Sequence, residues 1–229
     1  MKNRIILFIL VSLVCIAACK TLEPVNKQIW VNQNGWQIGA GAAEAQFDKA
    51  FGMGSLDKKE VGISYFPNDD VVCPQFRVDF ITYYQFWDRE NRTAFISSLN
   101  RYKGDYSQKN LTKKGSRGKR NYGIVRSMVI WETHRFSHLN YSYPNLELGY
   151  YFKSKNPYFA ITQREAPNEN QVSKESNPHS RNIVMYMTRA QADVIAEAFD
   201  PAFLVNLRMG ISEQEPVAPE TEDYVELEL

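Results

Sequence analysis

Glu132, His134 and His138 form the most tempting metal-binding pattern in the sequence, within the run WETHRFSH. Two histidines four apart share one face of a helix and can grip a zinc ion. Zinc helices of that kind carry a glutamate directly after the first histidine or directly before the second. Arg135 and Ser137 occupy those places here. The flanking residues read as strand, and four strand residues span about 13 Å. Side chains that far apart do not chelate one ion together. The run therefore reads as a polar strand face with Glu132 and His134 as neighbours, and no metal is expected.

Other chemistry-bearing residues are scattered. GAGAAE, residues 39–44, begins like a dinucleotide loop, but Glu44 stands where the third glycine belongs. GSRGKR, residues 115–120, lacks the spacing of a phosphate loop and the Ser or Thr that follows its lysine. No G-x-S-x-G esterase elbow occurs. No cofactor is expected. If the chain were a hydrolase, Asp69, Asp70, Asp79, Glu132 and His134 would be the first candidates. Paired carboxylates for acid–base work must lie about 5–10 Å apart in space. Cys73 follows Val71 and Val72 and reads as a buried small hydrophobe.

The N-terminal run IILFILVSLVCIAACK, residues 5–20, follows Lys2 and Arg4. Its apolar core is shorter than the roughly 20 residues of a membrane span. A positive start, a short apolar core and small residues after it describe a secretory signal. Ile16-Ala17-Ala18-Cys19 resembles the lipobox of bacterial lipoproteins. The resemblance implies cleavage between Ala18 and Cys19, diacylation of the Cys19 sulfur, and Cys19 as the new N-terminus. Each inserted CH₂ contributes about 0.8 kcal/mol, so two or three acyl chains hold a protein at a membrane. On this reading residues 1–18 are a cleaved signal, and 19–29 are the lipidated cysteine and its tether. Ten extended residues span at most about 33–36 Å. The body then sits in a bacterial cell envelope, close to a membrane. Lys20 is not the aspartate that retains some lipoproteins at an inner membrane, which favours the outer one where two exist.

Lys and Arg number 27 against 26 Asp and Glu, a net charge of +1. Loss of Lys2 and Arg4 with the signal makes it −1. That balance hides two blocks. Residues 101–120 hold eight basic residues against Asp105 alone, and 211–229 hold seven acids and no base. The basic stretch from 109 to 120 reads as an exposed loop able to meet an anionic surface near the membrane. Nucleic acid is not expected as a partner, because the signal implies export and the block is short and lacks interleaved aromatics for base stacking. The residues from 209 to 229 read as a mobile acidic tail.

The coarse elements follow from periodicity. AGAAEAQFDKAFGM reads as a short helix weakened by its glycines. VGISYF is a strand closed by the turn PNDD. FRVDFITYYQFW, residues 76–87, reads as one long strand with Phe76, Val78, Phe80, Thr82, Tyr84 and Phe86 on one face. Asp88 is an N-cap for a helix over about 89–106, striped by Phe95, Leu99, Tyr102 and Tyr106. Residues 122–136 form another strand, and 146–153 with 158–164 a hairpin. Thr188 and Gln191 spell a capping box for a helix that buries Val194, Ile195, Ala198 and Phe199. Residues 30–208 are expected to be a single α+β domain, a mostly antiparallel sheet with about two helices packed on one face.

Aromatics crowd two regions: Tyr83, Tyr84, Phe86 and Trp87, then Tyr141 to Phe159. Sheet packing explains most of them. A sharper reading is an exposed platform for a glycan or protein partner. The expected function is a non-enzymatic, lipid-anchored envelope module, held to the membrane through Cys19 and binding an envelope protein or glycan. The alternative is a membrane-anchored hydrolase acting on envelope glycan or peptide.

Overall fold

The computed structural model describes residues 37–49, 55–116, 122–133, 140–170 and 178–212. Cys19, the tether, His134, His138 and the tail beyond 212 lie outside them.

Ten strands build one sheet: β1 (Ile38–Asp48), β2 (Leu56–Phe66), β3 (Val71–Val78), β4 (Ile81–Phe86), β5 (Gly123–Arg126), β6 (Met128–Thr133), β7 (Asn140–Ser142), β8 (Asn145–Lys153), β9 (Asn156–Gln163) and β10 (Ile183–Met187). Their order is β5-β8-β9-β10-β1-β2-β3-β4-β6-β7, with every pairing antiparallel. Among the described residues three helices accompany them: α1 (Arg89–Ser107), α2 (Arg189–Phe199) and α3 (Pro201–Ser212). Among the described residues strand makes up 49% against 27% helix, and the sheet curls into a half-barrel. This corrects the expected α+β class. The molecule is dominated by sheet, and its helices are not a layer on one flat face.

The curl is legible in two features. Gln85 on β4 donates to Gln163 on β9 at 3.1 Å, although four strands separate them in the sheet. A direct bond between such distant strands requires the face they share to be concave. The ends of the sheet also belong to one bent hairpin. Gly123 faces Leu148, Arg126 faces Asn145, Val129 faces Ser142 and Trp131 faces Asn140, a register that never shifts. Ser127 interrupts one arm and Pro144 the other, yet Ser127 N still donates to Pro144 O at 3.4 Å. Proline offers no N–H of its own, which suits a bend. Past the bend the arms part: β6 pairs with β4, and β8 with β9. The Ser127 hydroxyl donates to the Phe86 carbonyl and pins the corner.

The helices fill the concave side. Phe95, Leu99 and Tyr102 of α1, and Ile195, Ala198 and Phe199 of α2, join one core with inward strand residues. Phe95 meets Trp87, Phe159 and Phe199 with ring centroids 5.9, 5.5 and 5.1 Å apart. Asp88 caps α1 by accepting from Asn91 N at 2.8 Å. The capping box of Thr188 and Gln191 opens α2. Val194, expected in the core, is exposed.

Three local expectations change. The Ala- and Gly-rich run expected to be helical over 40–53 lies in β1 as far as Asp48, and its residues 50–53 fall outside the described residues. Its inward Ala40, Ala43 and Ala45 are buried, and their small side chains let α2 pack against this strand. A bulge between Gly39 and Gly41, with Gly41 at φ +122°, absorbs the twist. The expected single strand 76–87 is two strands. Val78 faces Ile81 across a turn at Asp79 and Phe80, with Asp79 at φ +57°. That turn reverses the alternation, so Ile81 and Tyr83 face the core and Phe80 is 78% exposed. The strand expected over 122–136 is likewise split, at Ser127.

Candidate functional site

The convex side of the sheet carries a second apolar cluster to which no helical residue belongs. Val71, Cys73, Phe86, Met128, Ile130 and Tyr143 are buried there, with Phe66, Tyr84 and Tyr141 half-buried around them. Strand alternation puts them there: Val72 and Tyr83 enter the main core, so Cys73 and Tyr84 point the other way.

A groove of about 370 Å³ opens over β2, β3, β4 and β6 beside this cluster. Cys73, Phe86 and Ile130 form its floor, and Phe66 and Tyr84 its apolar walls. Ser64, Gln75, Glu132 and Gln37 supply the polar groups. Register explains the opening. Gln75 faces Tyr84, which faces Ile130, while on the other side Gln75 faces Gly62, which has no side chain. Tyr84 on β4 and Glu132 on β6 are diagonal neighbours at the groove. Burial, and then the adjacent Glu132 carboxylate, raise the Tyr84 pKa and keep its proton in place. Burial alone pushes the Cys73 thiol far up. Cys73 is a floor residue and not a nucleophile, because the thiolate is the reactive form.

The acidic residues singled out as hydrolase candidates do not converge. Asp70 precedes β3 and Asp79 follows it, so the strand's eight residues, about 26 Å, hold them apart. Asp70 is bound by Arg89 and Arg92, each at 2.8 Å. Asp79 pairs with Arg181 at 3.2 Å. Asp69 is exposed in the turn before β3. Glu132 lies in the groove, and His134 falls outside the described residues. Among the described residues, no three His, Cys, Asp or Glu side chains gather to hold a metal. Among them also, no helix is long and apolar enough to cross a membrane.

A second cleft, of about 510 Å³, lies between α1, the start of β9 and the first turn of α2. Its charged groups already serve one another. Lys103 pairs with Asp193 at 2.7 Å, and Arg189 stacks 4.0 Å above the Tyr106 ring.

The aromatic crowding splits between the two faces. Tyr83, Trp87, Tyr150 and Phe159 belong to the core, whereas Tyr84, Phe86, Tyr141 and Tyr143 belong to the convex cluster. Phe66, Ser64, Gln75 and Ile130 were not anticipated. A signal exists for Ile130 and for the cluster's Val71, Cys73 and Met128, since VVC and MVIW are apolar in both phases, which marks strands covered on both faces.

No solved structure matches the chain. A protein of Treponema pallidum (strain Nichols), described as uncharacterized, is 23% identical over 158 residues. The match takes in 65% of this chain and 56% of that protein, so it spans little more than half the relative's length. Residues 26–205 match a family described as an uncharacterised Treponema protein, which covers the whole described sheet and its first two helices. The chain belongs to that family.

Proposed function

We propose that this chain is a lipid-anchored cell-envelope protein that binds another envelope component through the convex-face groove, without catalysing a reaction. The observation that supports the binding role most is the apolar cluster on a face that neither α1 nor α2 covers, opening into a concavity with a few polar groups. Pockets of this size, mostly apolar with sparse polar groups, suit ligand recognition. The dispersal of Asp70 and Asp79 along β3 speaks against paired-carboxylate hydrolysis. Anchoring rests on the lipobox-like residues 16–19. Cys19→Ser is expected to abolish fatty-acid labelling and release the chain from membranes. Labelling that persists in this variant would refute the anchor.

The binding role is tested by crosslinking in intact cells with wild type and Phe66→Asp. Phe66 is half-buried at the groove wall, so a charge there blocks the groove at little cost to the fold. Loss of a specific crosslinked species in the variant supports the reading. An unchanged crosslinking pattern contradicts it.

A further inference from the structure

Resting on that binding role, we infer that the groove takes a lysyl side chain presented by a peptide segment. Its floor and walls, Phe66, Cys73, Phe86 and Ile130, are apolar and suit an aliphatic stem. Lysine lays such a stem along apolar surface while its ammonium stays at a polar edge. Glu132 stands at that edge, exposed and beside Tyr84. Carboxylates accept at two oxygens, so Glu132 has the capacity to hold a cation. Gln75 and Ser64 offer further oxygens on neighbouring strands, and an ammonium has three protons to place.

Charge complementarity selects the ligand. Among the described residues, no Lys or Arg lines the groove. Arg77 points to the same convex face from β3, and Thr82 separates it from Glu132 in the strand register. Two strand spacings, about 10 Å, lie between Arg77 and Glu132, and no ion pair joins them. An anionic ligand meets only repulsion at Glu132. A wholly apolar ligand leaves the carboxylate unused. Lysine fits better than arginine, because a guanidinium spreads five donors in a fixed fork and the groove has one carboxylate.

The test uses the full chain in lipid nanodiscs with two blocked tripeptides, N-acetyl-Ala-Lys-Ala-amide and its norleucine counterpart, followed by NMR or calorimetric titration. The lysyl peptide is expected to bind more tightly than the norleucine peptide. Glu132→Gln should weaken the lysyl peptide roughly tenfold, the scale of one charge-assisted hydrogen bond, and leave the norleucine peptide unchanged. Phe66→Asp should weaken both, and circular dichroism checks that each variant is folded. Equal affinity for the two peptides, no lysyl binding, or indifference to Glu132→Gln would overturn the inference. If the Phe66-dependent crosslink in cells persists after such a result, the binding role stands and only the lysyl assignment falls. If that crosslink is also missing, both fall.

Discussion

At the scale of single residues, the terminal nitrogens of the buried Arg92 tie two elements together. Arg92 is 1% exposed, and its guanidinium donates to the Asp70 carboxylate, the Asp70 carbonyl and the Trp87 carbonyl. This fork locks the β2–β3 turn to the first turn of α1. Removing one partner of a buried ion pair costs about 3–5 kcal/mol. Asp70 keeps about a third of its side chain in water, so Asp70→Asn is expected to cost less, roughly 2–3 kcal/mol. A shift of the urea midpoint at unchanged slope checks this, and an unaltered midpoint would contradict it. Tyrosines give a pH dependence. Burial pushes the hydroxyls of Tyr83 and Tyr143 up to about 12. In the unfolded chain they titrate near 10. Between those values the unfolded chain binds fewer protons, so stability falls as pH rises. Their contribution is whole below pH 10 and lost as the pH passes about 12. Denaturation midpoints at pH 9 and pH 11.5 should show the decline, and Tyr83→Phe should lessen it. Equal midpoints would refute the assignment.

Among elements, the bent hairpin and the glutamine bridge hold the curl. Gln85 accepts from Trp87 Nε1 at 3.4 Å while it donates to Gln163, and Gln163 in turn donates to the Arg181 carbonyl at 3.1 Å. Gln85→Leu strands polar groups in the core, at a cost of about 1–3 kcal/mol. The double change with Gln163→Leu should cost less than the sum of the single ones by about 0.5–3 kcal/mol. Additive costs would show that the bridge does not couple β4 to β9. Helices α1 and α2 were legible in the sequence because caps and a 3.6-residue stripe are local signals. The strand β1 was not. Alanine and glycine have little preference for strands, and only the arrival of α2 explains why Ala43 and Ala45 must be small. Nor was the Asp79–Phe80 turn visible. Apolar residues continue through it, and the break rests on the positive φ of Asp79.

For the whole molecule, the sheet faces both ways: one side packs on helices and the other keeps a grooved apolar surface. Glu132 was legible as a polar strand residue. Its company was not, since Ser64, Cys73 and Tyr84 come from three other strands and meet it only through register. On the proposed anchoring through Cys19, that surface faces neighbours within a tether's reach of the membrane. The most direct measurement places a photoreactive amino acid at Tyr84, in the groove, and separately at Val194, exposed on α2. Irradiation of intact cells should yield a discrete adduct from position 84 and none from position 194. Adducts from position 194 alone, or from neither, would contradict binding through the convex face.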